Sequence, residues 1–328
     1  MAPTVSVVIP TYNRGTLLPN AIESVLAQTF TDYELIVIDD GSTDDTCERL
    51  KPYMGRIRYF YQNNRGASAA QNKGIEVARG EWVAILGSDD VWLSSKLEKQ
   101  LRALATLGND FAACFTDCIY VGHPDLSLSA FERAGLKPNS EFGQLHDPIK
   151  YILGSYPPIC PQSLIVLRSL LNVLDGFDEA IGVSEDQDLI FRLALRTKFC
   201  FVSAPLVRID QTPSRSRLSD SLGRKNDQLY AWFEYRYRKW LGMSEVADCG
   251  ARQTIEDQLC ALYYDWTMAS LRHLKLAGAC EKINEIKRMG HSYPTILSVL
   301  LPRATRKLSR ILGGPERGAS GLLGRRQA

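Results

Sequence analysis

Short apolar runs alternate with amphipathic stretches along the first part of the chain. Val5-Ser6-Val7-Val8-Ile9 reads as a buried strand stopped by Pro10. Leu17 to Ala27 puts Leu18, Ile22, Val25 and Leu26 at helical spacing. Glu34 to Ile38 is a second strand running into Asp39-Asp40-Gly41-Ser42, after which Thr43 or Asp44 can cap a short helix reaching about Leu50. Ile57 to Tyr61 reads as a third strand, Ala67 to Ala78 as a helix closed by Arg79-Gly80, and Trp82 to Leu86 as a fourth strand. This alternation predicts an α/β fold with a doubly wound, mostly parallel sheet flanked by helices. Right-handed crossovers then place Pro10, Asp39-Asp40 and Asp89-Asp90 on one sheet edge. Open α/β sheets bind ligands at the carboxyl ends of their strands.

The middle is less regular. Leu97 to Leu107 predicts a helix and Phe111 to Val121 a strand, whereas Gly122 to Pro148 has the mixed polarity of a variable loop region. Ser163 to Leu167 reads as a strand, Arg168 to Leu174 as a short helix, Leu189 to Arg196 as a helix and Phe199 to Val207 as a strand. From about Leu222 onward the pattern changes to helices rich in Tyr, Trp, Arg and Leu. The boundary is placed near Asp220, giving a 1–220 α/β domain and a 221–328 helical extension.

Composition narrows the partners. With 39 Lys+Arg against 37 Asp+Glu in 328 residues, the net charge of +2 carries no nucleic-acid signature, so no nucleic acid is expected. Val5 to Ile9 is too short for a signal-peptide core, and no apolar run is long enough to span a bilayer. Among eight cysteines only Cys114 and Cys118 lie close, without a second pair or zinc-spaced histidines, so the expected setting is a reducing cytoplasm. His123, His146, His273 and His291 match no catalytic arrangement.

The chemistry concentrates where Val83-Ala84-Ile85-Leu86 ends in Gly87-Ser88-Asp89-Asp90. Adjacent carboxylates at a strand end are costly unless something positive neutralises them. A hard divalent cation that also holds phosphates is the natural partner. Asp-Asp after a strand is equally a loop or helix-capping signal.

An ordered set of motifs decides between these readings. Val5-Ser6-Val7-Val8-Ile9-Pro10-Thr11-Tyr12-Asn13, Ala21 to Thr29, Glu34 to Asp44, Asn64-Arg65-Gly66-Ala67, Asn72-Lys73-Gly74-Ile75 and Ala78 to Trp82 come first. Ser88-Asp89-Asp90-Val91-Trp92, Gly176-Phe177-Asp178-Glu179 and Glu185-Asp186-Gln187-Asp188-Leu189 follow. Over roughly residues 4–216 the chain resembles glycosyltransferase family 2, inverting enzymes with the GT-A fold. The resemblance implies a nucleotide-diphosphate sugar donor, with a UDP-sugar the first expectation, a Mn²⁺ or Mg²⁺ cofactor, and a glycan or lipid-linked acceptor. The implied setting is surface polysaccharide or glycolipid assembly.

Carried over residue by residue, Pro10, Thr11 and Tyr12 flank the base, Asp40 contacts base or ribose, and Asn72 and Asp89 join the donor set. Asp89 and Asp90 take the metal, with Gln211 standing where relatives often carry a metal-binding His and Asp210 beside it. Asp186 is the expected base, while Glu185 and Asp188 position the acceptor or cap the helix. Arg215 and Arg217 could bind the diphosphate or be surface arginines. Two departures stand out: Gly87 replaces a frequent Asp, and Gln71 a frequent Arg.

The aromatic segment from Tyr230 to Trp240 predicts a helix packing on the catalytic domain with its arginines outward. The basic, apolar end (Leu300-Leu301, Arg306-Lys307-Leu308, Arg325-Arg326) suits a peripheral membrane contact, a disordered tail or a homodimer contact. Acceptor choice is expected in residues 122–160 and in this tail. Two rivals remain at this point. One is a catalytically impaired nucleotide-binding regulatory or scaffold protein on the same fold. The other is a nucleotidyltransferase, which the lack of a Gly-rich phosphate loop argues against. A dinucleotide oxidoreductase fails because no Gly-x-Gly-x-x-Gly follows the first strand.

Overall fold

The computed structural model describes residues 2–122, 127–212 and 227–290. Arg215, Arg217, His123, His291 and the basic C-terminal end lie outside the described residues. The first four strands, β1 (Val5–Thr11), β2 (Tyr33–Asp39), β3 (Arg58–Tyr61) and β4 (Trp82–Ile85), are parallel to one another and lie in the order β3-β2-β1-β4. Helices α1 (Leu18–Leu26), α2 (Thr46–Leu50) and α3 (Ala67–Val77) join them. Val5, Val7, Val8, Ile9, Leu35, Ile36, Val37 and Ile38 are all buried, as expected of strands covered on both faces.

Pro10 does not end β1. It removes one donor, but Thr11 still pairs with Asp39 and its carbonyl accepts the Asp40 N–H at 2.8 Å.

Beyond β4 the sheet becomes mixed. The elements are β5 (Val91–Trp92), α4 (Lys96–Leu107), β6 (Phe111–Val121), α5 (Ala130–Ala134), β7 (Phe142–Leu145), α6 (Pro148–Ile152), β8 (Ile165–Leu167), α7 (Arg168–Val173), α8 (Glu185–Ala194) and β9 (Lys198–Asp210). Strand β8 is antiparallel to both β4 and β6, β9 is parallel to β6, and β5 and β7 are antiparallel to β9. The α/β class and GT-A-like architecture hold. The expected loop over 122–148 is corrected: α5 and β7 lie within it. Helix α5 starts with a capping box, the Ser129 hydroxyl accepting from Glu132 N–H and the Glu132 carboxylate accepting from Ser129 N–H at 2.7 Å.

Compactness divides the chain in two. Residues 238–252 cluster with the α/β unit, while 227–237 and 253–290 form a second, helical unit. After β9 come helices α9 (Asp227–Leu241), α10 (Ser244–Asp248), α11 (Arg252–Arg272) and α12 (Leu276–Arg288), of which α10 and the end of α9 belong to the first unit. Within the second unit Tyr230 stacks on Trp266 at 5.4 Å, and buried Lys282 lies 3.9 Å from the Trp266 ring while donating to Glu234 at 3.3 Å. Arg236 does not point outward as expected: it is buried, 5.1 Å from the Phe233 ring and 5.0 Å from the Tyr237 ring. No helix among the described residues is long and apolar enough to cross a membrane.

Helix α3 presses on β1 through a missing side chain. A Cβ built on Gly74 would stand 2.2 Å from Val8 Cγ1. Gly74→Ala is therefore expected to lower stability by about 1–3 kcal/mol, the usual cost of overpacking. Thermal unfolding checks this, and an unchanged midpoint would show that the helix lifts off the strand at no cost.

Candidate active site

The carboxyl ends of β1 and β2 form a braced frame. Asp39 Oδ1 accepts from Ser42 N–H at 2.8 Å and its Oδ2 from the Tyr59 hydroxyl at 2.9 Å, so this acid holds the turn. Asp40 is also buried. Its Oδ1 accepts from Gln62 Nε2 at 2.7 Å and Arg65 N–H at 2.9 Å, and its Oδ2 from Gly66 N–H at 2.8 Å. Asn13, held at φ +52°, accepts from Thr43 N–H at 2.8 Å and ties the loop after β1 to the loop after β2. Asp44 accepts from Gly15 N–H at 3.1 Å and Thr46 N–H at 3.0 Å, bracing the entrance to α2. This frame leaves Tyr12 48% exposed at the end of β1. Next to it, Thr11 Oγ1 is buried without a hydrogen-bond partner, as is Gln71 Oε1 on α3. Buried polar atoms lacking partners need a reason, and a bound polar ligand supplies one.

The paired carboxylates stand after β4. Asp90 N–H donates to Gly87 O at 3.1 Å, closing the turn, and Asp90 Oδ1 accepts from Asp210 N–H at 3.0 Å, fixing it against the end of β9. A Cβ built on Gly87 would lie 2.6 Å from Asp90 Oδ2 and 3.1 Å from Asp89 Oδ1. Both carboxylates thus converge on the space above the glycine. Two hard oxygen donors converging on one point fit Mg²⁺ or Mn²⁺, which bind one or two carboxylates and complete their shell with water and phosphate oxygens. Among the described residues no three His, Cys, Asp or Glu side chains gather as a metal cage. Asp210 turns its Oδ1 to Thr212 N–H at 2.8 Å, and Gln211 lines a separate cavity with Tyr120, Arg133 and Tyr156.

Below this turn Lys96 is fully buried, 3.9 Å from the Trp92 ring, and donates to Gln100 Oε1 at 2.8 Å. Burial pushes its pKa down to about 7.

Helix α8 brings the second acidic group. Ser184 precedes it at φ +66°, and Glu185 and Asp186 occupy its first turn. Asp186 lines a small apolar hollow of about 20 Å³ with Val83 and Ile85 of β4, the strand that leads to Asp89 and Asp90. Burial, with the negative charge of Asp186 adding, lifts Glu185 to about 8.

Asp188, which the sequence left between capping the helix and positioning the acceptor, is fully buried and acts as a hub. Its Oδ2 accepts from Arg192 Nε at 2.8 Å and Lys239 Nζ at 2.9 Å, and its Oδ1 from Trp240 Nε1 at 3.0 Å. Arg192 also donates to Leu174 O and Gly176 O, both at 2.7 Å. Lys239 bonds Asp178 Oδ2 at 2.7 Å, and Trp240 stacks on Phe191 at 4.1 Å. The Asn72 amide is used nearby: it donates to Phe177 O at 2.9 Å and accepts from Phe177 N–H at 2.8 Å. Lys239 and Trp240 are the contributors that sequence reading missed. A lone Trp-Lys pair in an aromatic helix was the only signal.

A parallel sheet edge, converging carboxylates and an acid-headed helix fit a GT-A-like fold. Residues 6–152 match the model of Glycosyl transferase family 2. An uncharacterized glycosyltransferase of Rickettsia typhi, RT0329, is 31% identical over 191 residues, covering 58% of each chain. The chain thus spans little more than half the length of this relative. Among solved structures, S. aureus TarS 1–349 in complex with UDP-GlcNAc aligns with a TM-score of 0.62 at 18% identity, over 89% of this chain and 93% of that one. The mannosyltransferase PcManGT from Pyrobaculum calidifontis, in complex with GDP-Man and Mn²⁺, aligns at 0.51 and 18% identity, over 94% and 81%.

Glu185 makes stability depend on pH. Its pKa rises from 4.5 to about 8 on folding, so the folded state holds the proton more tightly across that window. The group therefore withdraws stability as pH rises from about 5 to about 8. Glu185→Gln is expected to flatten this decline in urea unfolding. Equal pH slopes in the variant and the parent protein would contradict the assignment.

Proposed function

We propose that this chain transfers a sugar from a nucleotide-diphosphate sugar to an acceptor hydroxyl, with inversion at the anomeric carbon. The observation that carries the reading is the convergence of Asp89 and Asp90 above Gly87, with Asp186 packed against the same strand. The exposed Tyr12 face offers stacking to a base, and the partnerless Thr11 hydroxyl and Gln71 carbonyl offer polar contacts to a bound donor. Solved relatives of this fold in complex with UDP-GlcNAc, and with GDP-Man and Mn²⁺, support a nucleotide-sugar donor.

Asp89 and Asp90 would hold Mn²⁺ or Mg²⁺, which supplies charge stabilisation for the departing diphosphate. Asp186 takes the proton from the acceptor hydroxyl as that oxygen attacks. The positive end of α8 favours its ionised form. Glu185, lifted to about 8, stays protonated near neutrality and serves as a hydrogen-bond donor rather than a second negative charge. The Asp188 hub fixes α8, so that both first-turn acids keep one orientation. A cytoplasmic setting and a surface-glycan acceptor belong to the same proposal.

Asp186→Asn keeps the shape of the side chain and removes the base. Nucleotide affinity is expected to hold, while nucleoside diphosphate release from a panel of UDP- and GDP-sugars falls by about 10²–10⁴-fold. Turnover equal to that of the parent protein would place the base elsewhere.

A further inference from the structure

One cavity lies outside the donor and base machinery. It measures about 200 Å³ and is lined by Tyr120, Ala130, Arg133, Ser155, Tyr156, Pro157 and Gln211. Its position follows from β9: Gln211 comes directly after Asp210, whose N–H is held by Asp90. One wall residue, Gln211, is therefore the chain neighbour of the residue that Asp90 holds.

Its walls are built rather than incidental. Asp117 is buried at an irregularity in the β6–β9 pairing and accepts from Phe131 N–H at 2.9 Å, which anchors α5. The capping box at Ser129 and Glu132 sets the start of that helix, and Gly135 at φ +68° ends it. Glu132 is committed to the cap, so it is not spent on its neighbour Arg133. The Arg133 guanidinium then lies over two aromatic rings, 5.4 Å from the Tyr120 centroid and 4.6 Å from that of Tyr156. Tyr120 itself is pinned, its hydroxyl 3.7 Å from Cys160 Sγ.

Among the described residues no carboxylate pairs with Arg133, and no acceptor takes its side-chain donors. A half-buried guanidinium held near two aromatic rings with its donors unspent is preorganised for a planar anion. Tyr156, 54% exposed, adds an open ring face, and Ser155 and Gln211 add hydroxyl and amide groups at the rim. A ring face beside hydrogen-bonding groups suits a sugar, and a free guanidinium fork suits a carboxylate or phosphate on that sugar. Neutral sugars would leave the cation without a partner.

We infer that this cavity is an acceptor subsite for an anionic saccharide unit, with Arg133 as its specificity-determining residue. The inference rests on the proposed transferase reading and names the chemistry of its acceptor. The same cationic fork would recognise a uronic carboxylate or a sugar phosphate.

Titration of the full chain by NMR with methyl β-D-glucuronide, glucose 6-phosphate and methyl β-D-glucoside tests it. At least one anionic probe is expected to bind roughly tenfold tighter than the glucoside, the weight of a charge-assisted pair. Which one wins identifies the anion as carboxylate or phosphate. Arg133→Gln should remove that preference and leave the glucoside unaffected, while Tyr156→Ala, a change at an exposed ring, should weaken all three. Equal binding of the three probes, no binding of either anion, or a preference that survives Arg133→Gln would overturn the assignment. UDP titration of the same samples keeps the two readings apart: failure there strikes the donor site, whereas failure with the saccharides strikes only the subsite.

Discussion

A buried carboxylate holds the acid-bearing part of this molecule together. Asp188 has no exposure to solvent, and an isolated charge in that position would cost several kcal/mol. Arg192, Lys239 and Trp240 each donate to it, and Arg192 and Lys239 reach on to the 174–178 loop. Helix α8, that loop and the end of α9 are thereby fixed as one piece. Loss of any donor leaves the others around an incompletely compensated buried charge, which is far more damaging than loss of a surface pair. Glu185 and Asp186 sit on the same helix, so their orientation depends on a tryptophan and a lysine some fifty residues later in the chain.

The edge at the carboxyl ends of β1, β2 and β4 is built on a different principle. Carboxylates at the ends of β2 and β4 have divided tasks. Asp39 and Asp40 are spent on the turns that shape the edge, with Asp40 accepting three hydrogen bonds from the 62–66 stretch. Asp89 and Asp90 turn toward each other above Gly87. The glycine has a physical meaning here, because a side chain at that position would enter the space the two carboxylates share.

The start of the fold was legible because β1 and β2 are short, apolar and almost wholly covered. The runs around Val5–Ile9 and Leu35–Ile38 allow no other reading once they alternate with amphipathic helices. Legibility failed where the determinant is a distant partner. Nothing local distinguishes Asp188 from an ordinary first-turn acid, since its partners Lys239 and Trp240 are joined to it only by the fold. Helix α5 was missed despite its Ser129-x-x-Glu132 box, because five residues give no periodicity to read. Arg236 was read as outward-facing from its charge, whereas Phe233 and Tyr237 provide ring faces that allow its burial.

The account turns on Asp89 and Asp90 forming a metal-assisted diphosphate site. Calorimetric titration of UDP and GDP, each with Mn²⁺ and then with chelator, tests that claim most directly. The account predicts that one nucleotide binds in the presence of metal and that chelation abolishes most of its affinity. Equal affinity with and without metal would contradict it, and would leave the two carboxylates as a structural turn.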